Sequence, residues 1–203
     1  MKLSWFVLCE LAILLASVMA GGMVGIDEIE PPQYMVGESW VWNGGEMVQT
    51  VIGEEPDHYV FDVQIDIQGH QQFWVMMNKE NAGVERLWGT FIEPIDVVLD
   101  PPFTLFPLLE HREGTLIFYV YAPMRIDALL TFQSDLVGVE EITVPAGTFE
   151  TYHMSQAYEV MYGTAFIDLW FSPEVRQYIK IDIRQMPFVG DLYYELTSCD
   201  LLM

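Results

Sequence analysis

The stretch Val144-Pro145-Ala146-Gly147-Thr148-Phe149 constrains this chain more than any other. Proline presets φ near −65° for the first position of a turn, and glycine takes a backbone conformation in which a side chain would clash. The pattern predicts a hairpin with a three-residue loop and Gly147 in the left-handed region. Leu136 to Thr143 upstream is rich in β-branched residues, and Phe149 to Tyr162 downstream reads as one long extended segment. Two strands of that length, joined by a fixed turn, set the register of the sheet around them.

The remaining segments carry the same period of two. Tyr59, Phe61, Val63, Ile65 and Ile67 fall on one face of a strand, and Asp62, Gln64 and Asp66 on the other. Ile179, Ile181 and Ile183 alternate with Lys180, Asp182 and Arg184 in the same way. Such alternation is the mark of a strand with one dry and one wet face. Trp40 and Trp42 share a face, Asn43-Gly44-Gly45 is a turn, and Gly138 is the expected site of a bulge. Pro94 to Gly114 is apolar but holds Pro94, Pro101, Pro102 and Pro107, so it reads as a connection resting on the sheet rather than a strand. The count is about eleven strands and no helix. The expected architecture is all-β, a single antiparallel meander forming a curved sheet or half-open barrel. Pro31-Pro32 before Gly37 and Trp40, echoed by Pro101-Pro102 before Gly114 and Phe118, fits two related halves.

The chain opens with Lys2, an apolar run through Val18, and Val18-Met19-Ala20 before Gly21. This reads as a secretory signal over 1–20, followed by an acidic linker over 21–33 and a single β domain over 34–203. An uncleaved anchor from Leu3 to Ile26 is the alternative. It would bury Glu10 in lipid at about 2.5–3.5 kcal/mol. Cys9 follows Leu8 and lacks the small residue that precedes a lipidation site. With the leader removed only Cys199 remains, either buried and inert or bridged to another molecule, so the fold rests on its core. With 8 Lys+Arg against 30 Asp+Glu and a net charge of −22, the surface repels phosphate backbones, and nucleic acid is excluded as a partner.

Val36-Gly37-x-x-Trp40, the Val144–Phe149 stretch and Trp170-Phe171-Ser172-Pro173-Glu174-Val175 resemble motifs of a large set of secreted bacterial proteins of unknown function. Those proteins are similar to the lipoprotein-carrier clam, a curved antiparallel sheet around an apolar cavity. The resemblance implies secretion and that clam-like fold, and it carries over no functional residue.

Catalytic patterns are missing from the sequence. His58, His70, His111 and His153 each stand alone, without the spacings of a zinc site, and no nucleophile elbow, P-loop or dinucleotide fingerprint occurs. We therefore expect no catalytic residue, no metal and no cofactor. The aromatic and methionine content of the strands leaves two readings. In the first, the sheet holds an apolar or lipid-like ligand with Trp40, Trp74, Phe103, Phe106, Leu109 and Trp170 around it. In the second, the core is filled and the protein is a structural or surface-interaction module. Its partners are then an apolar ligand or an envelope protein, in a secreted or periplasmic setting with peripheral membrane contact left open.

Overall fold

The computed structural model describes residues 31–67, 69–80, 82–89, 92–100, 111–121, 125–160, 163–186 and 189–202, with side chains for all of these except 92–112, 114–130 and 160. The expected signal peptide over 1–20 and most of the linker lie outside the described residues. So do Phe103, Phe106 and Leu109.

Among the described residues twelve strands follow one another as β1 (Ser39–Trp42), β2 (Met47–Glu54), β3 (His58–Asp66), β4 (His70–Asn78), β5 (Val84–Gly89), β6 (Ile92–Asp100), β7 (His111–Tyr121), β8 (Arg125–Val144), β9 (Gly147–Val160), β10 (Gly163–Ser172), β11 (Gln177–Met186) and β12 (Gly190–Asp200). Each pairs antiparallel with its neighbours in sequence, giving the curved meander that the alternation predicts. β1 also pairs with β12, Trp40 lying opposite Cys199, so the order of strands closes on itself as a barrel.

The strand that the sequence reading misses is β6, inside the segment read as a proline-broken connection. Ile95 to Asp100 pair with Thr115 to Val120 of β7, and His111 to Gly114 already belong to β7. Pro94 is tolerated because it has no partner on β7 and falls in the irregular part of the β5–β6 ladder, where no donor is required.

The organising hairpin also differs in detail. Val144 pairs with Gly147, so the loop is the two residues Pro145 and Ala146, and Gly147 is the first residue of β9. Its φ of +149° still demands glycine, but in an extended rather than a left-handed helical conformation. The bulge expected at Gly138 is present. The β8–β9 register shifts between Leu136 and Gly138, leaving Val137 unpaired.

Period-two alternation explains the core. The inward residues of β3 (Tyr59, Phe61, Val63, Ile65) are buried, as are Ile179, Ile181 and Ile183 of β11. One end of the barrel is plugged by its own chain. The β10–β11 turn dips inward, and β1 meets it. Trp40 donates its indole N–H to the Val175 carbonyl at 2.8 Å, and Trp42 donates to the Tyr178 carbonyl at 2.9 Å. Tyr34 packs edge-on against Trp40, Tyr59 and Phe61, and its hydroxyl donates to the Arg176 carbonyl. Burial drives the Tyr34 phenol far above its ordinary range. Arg176, at a φ of +58°, sends its guanidinium to the fully buried Glu38 carboxylate, which also accepts the main-chain N–H of Met35 and of Leu202. A buried charge so satisfied is tolerated; stripped of Arg176 it would not be.

Because β11 leaves β12 after Lys180 and Glu195, the tip of the β8–β9 hairpin takes its place, and the Ala146 N–H donates to the Leu196 carbonyl.

Candidate functional site

Among the described residues, the densest array of chemically capable side chains lies on the outer face of β8 to β12. Antiparallel register places it in rows. Gly138, His153, Trp170, Lys180 and Glu195 form one row across the five strands. Asp135, Ser155, Asp168, Asp182 and Tyr193 form the next. Phe166 and Arg184 lie opposite each other in a third.

His153 is the centre. Its ring stacks on Trp170 with centroids 4.3 Å apart and planes 14° apart. Its Nε2 lies 3.1 Å from Asp168 Oδ1, and its Nδ1 lies 3.2 Å from Glu140 Oε1. The Trp170 indole N–H donates to the same Glu140 oxygen at 2.7 Å. Lys180 covers the other side, its Nζ 4.3 Å from the Trp170 ring and 5.5 Å from the Tyr193 ring. Asp168 faces Asp182 across β10 and β11, a like-charge pair that Arg184 relieves by binding Asp168 and lying 3.8 Å from Asp182.

Burial pushes the Asp168 carboxyl up, but hydrogen bonds from His153 and Ser155 and the charge of Arg184 outweigh it, so the group sits below the usual carboxylate range. Tyr193 is pushed up to about 12, first by desolvation and then by its hydrogen bond to Glu195 and the nearby carboxylates.

An Asp–His pair can orient a base only if the second ring nitrogen faces a hydroxyl, a thiol or a substrate. Here Glu140 occupies it. The array's polar atoms are spent on one another, while its margin offers Phe166 at 37% and Tyr193 at 47% exposure beside Lys180 and Arg184. Among the described residues no group of three or more His, Cys, Asp or Glu is arranged to hold a metal ion.

The described members of the ligand set expected from sequence do not converge. Trp40 is fully buried in the plug, Trp170 belongs to the outer array, and Trp74 is half-buried against Trp88 at 6.4 Å. Pro145 and Gly147 form the hairpin tip. His153, Glu140, Asp168 and Arg184 were missed because they are scattered through the sequence as single residues. A signal was nonetheless available. His153 and Trp170, like Ser155 and Asp168, lie equally far on either side of the turn between β9 and β10, which places them opposite each other.

No family model matches the chain, and no curated protein matches it. Among solved structures it is similar to a protein of Bacteroides fragilis described as having a YmcC-like fold, at 14% identity and a TM-score of 0.45, over 84% of this chain and 99% of that one. It is also similar to the hypothetical lipoprotein YmcC of Escherichia coli, at 9% identity and a TM-score of 0.44, over 92% of this chain and 95% of that one.

Proposed function

We propose that this protein is a non-enzymatic, extracytoplasmic surface-interaction module that meets its partners with the outside of its barrel. The observation that carries the reading is the state of the interior among the described side chains, which leave out β6, most of β7 and β8 as far as Leu130. Phe61, Val63, Phe73, Val75, Ile167 and Leu169 have no accessible surface at all. A side chain lining a ligand cavity would expose area to it, as would one beside a water-sized void. Trp40 and Trp42 are equally enclosed, and main-chain carbonyls satisfy their indole N–H groups. The outer array supports the same view. Its only histidine has both nitrogens engaged by carboxylates, while its exposed rim combines tyrosine, phenylalanine, lysine and arginine. Aromatic residues and arginine are enriched where protein surfaces meet.

The competing reading is an apolar or lipid-like ligand held by Trp40, Trp74, Phe103, Phe106, Leu109 and Trp170. The half-exposed Trp74–Trp88 pair favours it, since these rings have surface left to offer. Native mass spectrometry of protein recovered from its host separates the two. The surface reading expects the bare polypeptide mass, or that mass with a co-isolated protein. A stoichiometric lipid adduct would favour the ligand reading.

A further inference from the structure

The ladder between β7 and β8 ends at His111 and Asp135, whereas β8 and β9 stay paired as far as Val144 and Gly147. Among the described residues no strand pairs with the other side of β8 beyond Asp135. The bulge at Gly138 bends the start of this stretch, and among the described residues the edge from Val139 is regular and unpaired as far as the hairpin tip, where Ala146 bonds to Leu196 of β12. Its chemistry can be read from the turn. A two-residue loop makes Val144 and Gly147 a hydrogen-bonded pair, and bonded and non-bonded pairs alternate from there. Val139, Glu141 and Thr143 are then the non-bonded members, with N–H and C=O directed to the open side. The 2.9 Å contact between the Thr143 and Thr148 hydroxyls fits the closer spacing of a non-bonded pair. Proteins guard such edges with proline, charged side chains or bulges; beyond the bulge at Gly138 this edge has no proline and no lysine, and its only charges are the acidic Glu140 and Glu141.

We propose that the β8 edge from Val139 to Val144 binds an extended segment of a partner polypeptide as an added strand, and that this segment alternates basic with apolar residues. This rests on the surface-interaction reading and names the partner's chemistry. Charge chooses the occupant. Glu141 lies directly opposite Glu150, both exposed, on the solvent face of the hairpin. A second copy pairing edge to edge would bring two such carboxylate pairs together on a chain of net charge −22. A partner with lysine or arginine at alternate positions relieves that repulsion. Its intervening apolar side chains fall on the opposite face, beside the half-buried Ile142. The strand addition itself is carried by main-chain hydrogen bonds.

The test uses the full-length protein and an acetylated, amidated nine-residue peptide of alternating lysine and valine, with a glutamate–valine peptide as control. The lysine peptide should bind, more weakly as salt rises, and slow amide exchange at Val139, Glu141 and Thr143 at least tenfold. Val139→Pro removes an outward donor without touching the β9 ladder, and should weaken binding at least tenfold. Val139→Thr keeps the donor and should bind like wild type. Equal binding by Val139→Pro, no protection of those amides, or protection arising from concentration-dependent dimers would overturn the proposal. A fatty-acid and phospholipid melting series on the same sample tells the two failures apart. No peptide binding with a lipid-raised Tm defeats the surface reading as well, whereas no response to either defeats the edge assignment alone.

Discussion

Trp40 of β1 donates its indole N–H to the main-chain carbonyl of Val175, 135 positions away in sequence, at 2.8 Å across the inside of the barrel. That bond joins the first strand to the inward-dipping turn between β10 and β11 and helps shut one end of the molecule. Trp40→Phe removes the donor and leaves the Val175 carbonyl buried without its partner. We expect a loss of about 1–3 kcal/mol, measured as a lower urea midpoint with an unchanged slope.

Asp168 gives a pH-dependent prediction. Its native carboxyl titrates below the usual range, so the charged form is favoured by folding. The stability it contributes is complete above the unfolded-state value of about 4 and is lost as pH falls through the lower native value. Asp168→Asn should therefore be less stable than wild type by about 1–3 kcal/mol at neutral pH, with the gap closing below about pH 4. Urea titrations at several pH values would measure it. A gap that stays constant down to pH 2 would show that the Asp168 charge contributes nothing.

Gly147→Val combines two costs. Gly147 has a φ of +149°, and an added Cβ would meet Phe149 Cζ at 3.2 Å. Strain at such a position costs about 1–3 kcal/mol. Because Ala146 anchors the hairpin tip to Leu196, the variant should also speed amide exchange at Ala146. An unmoved denaturation midpoint would contradict the strained backbone assigned to Gly147.

The parts of the fold legible in sequence were those governed by local alternation. Tyr59 to Ile65 and Ile179 to Ile183 declare their inward faces by period two, and Gly138 and Gly147 mark a bulge and a turn. β6 was not legible, because Pro94 reads as a breaker, and only the register of the neighbouring ladders reveals that it needs no partner there. The plug was hidden for a different reason. Nothing in the local sequence says that Val175 and Tyr178 will offer their carbonyls to tryptophans far away on β1. The outer array was hidden likewise, since Glu140, His153, Asp168 and Arg184 acquire meaning only when four strands lie side by side.

The charge array should tolerate loss of its histidine better than loss of its tryptophan. His153→Gln keeps polar contacts to the two carboxylates and should cost about 1 kcal/mol. Trp170→Ala removes a large buried ring from between His153 and Lys180 and should cost about 3–5 kcal/mol. Equal losses in thermal melts of the two variants would show that the ion pairs, rather than the stacked ring, dominate the array.

The most direct test of the interior proposed to be filled is the thermal midpoint of the protein in a series of fatty acids and phospholipids of increasing concentration. A ligand that binds only the folded state must raise the midpoint in proportion to the logarithm of its concentration above Kd. With Trp40, Phe61, Phe73 and Leu169 already fully enclosed, the account predicts no change in midpoint for any of them. A concentration-dependent rise with even one lipid would contradict it.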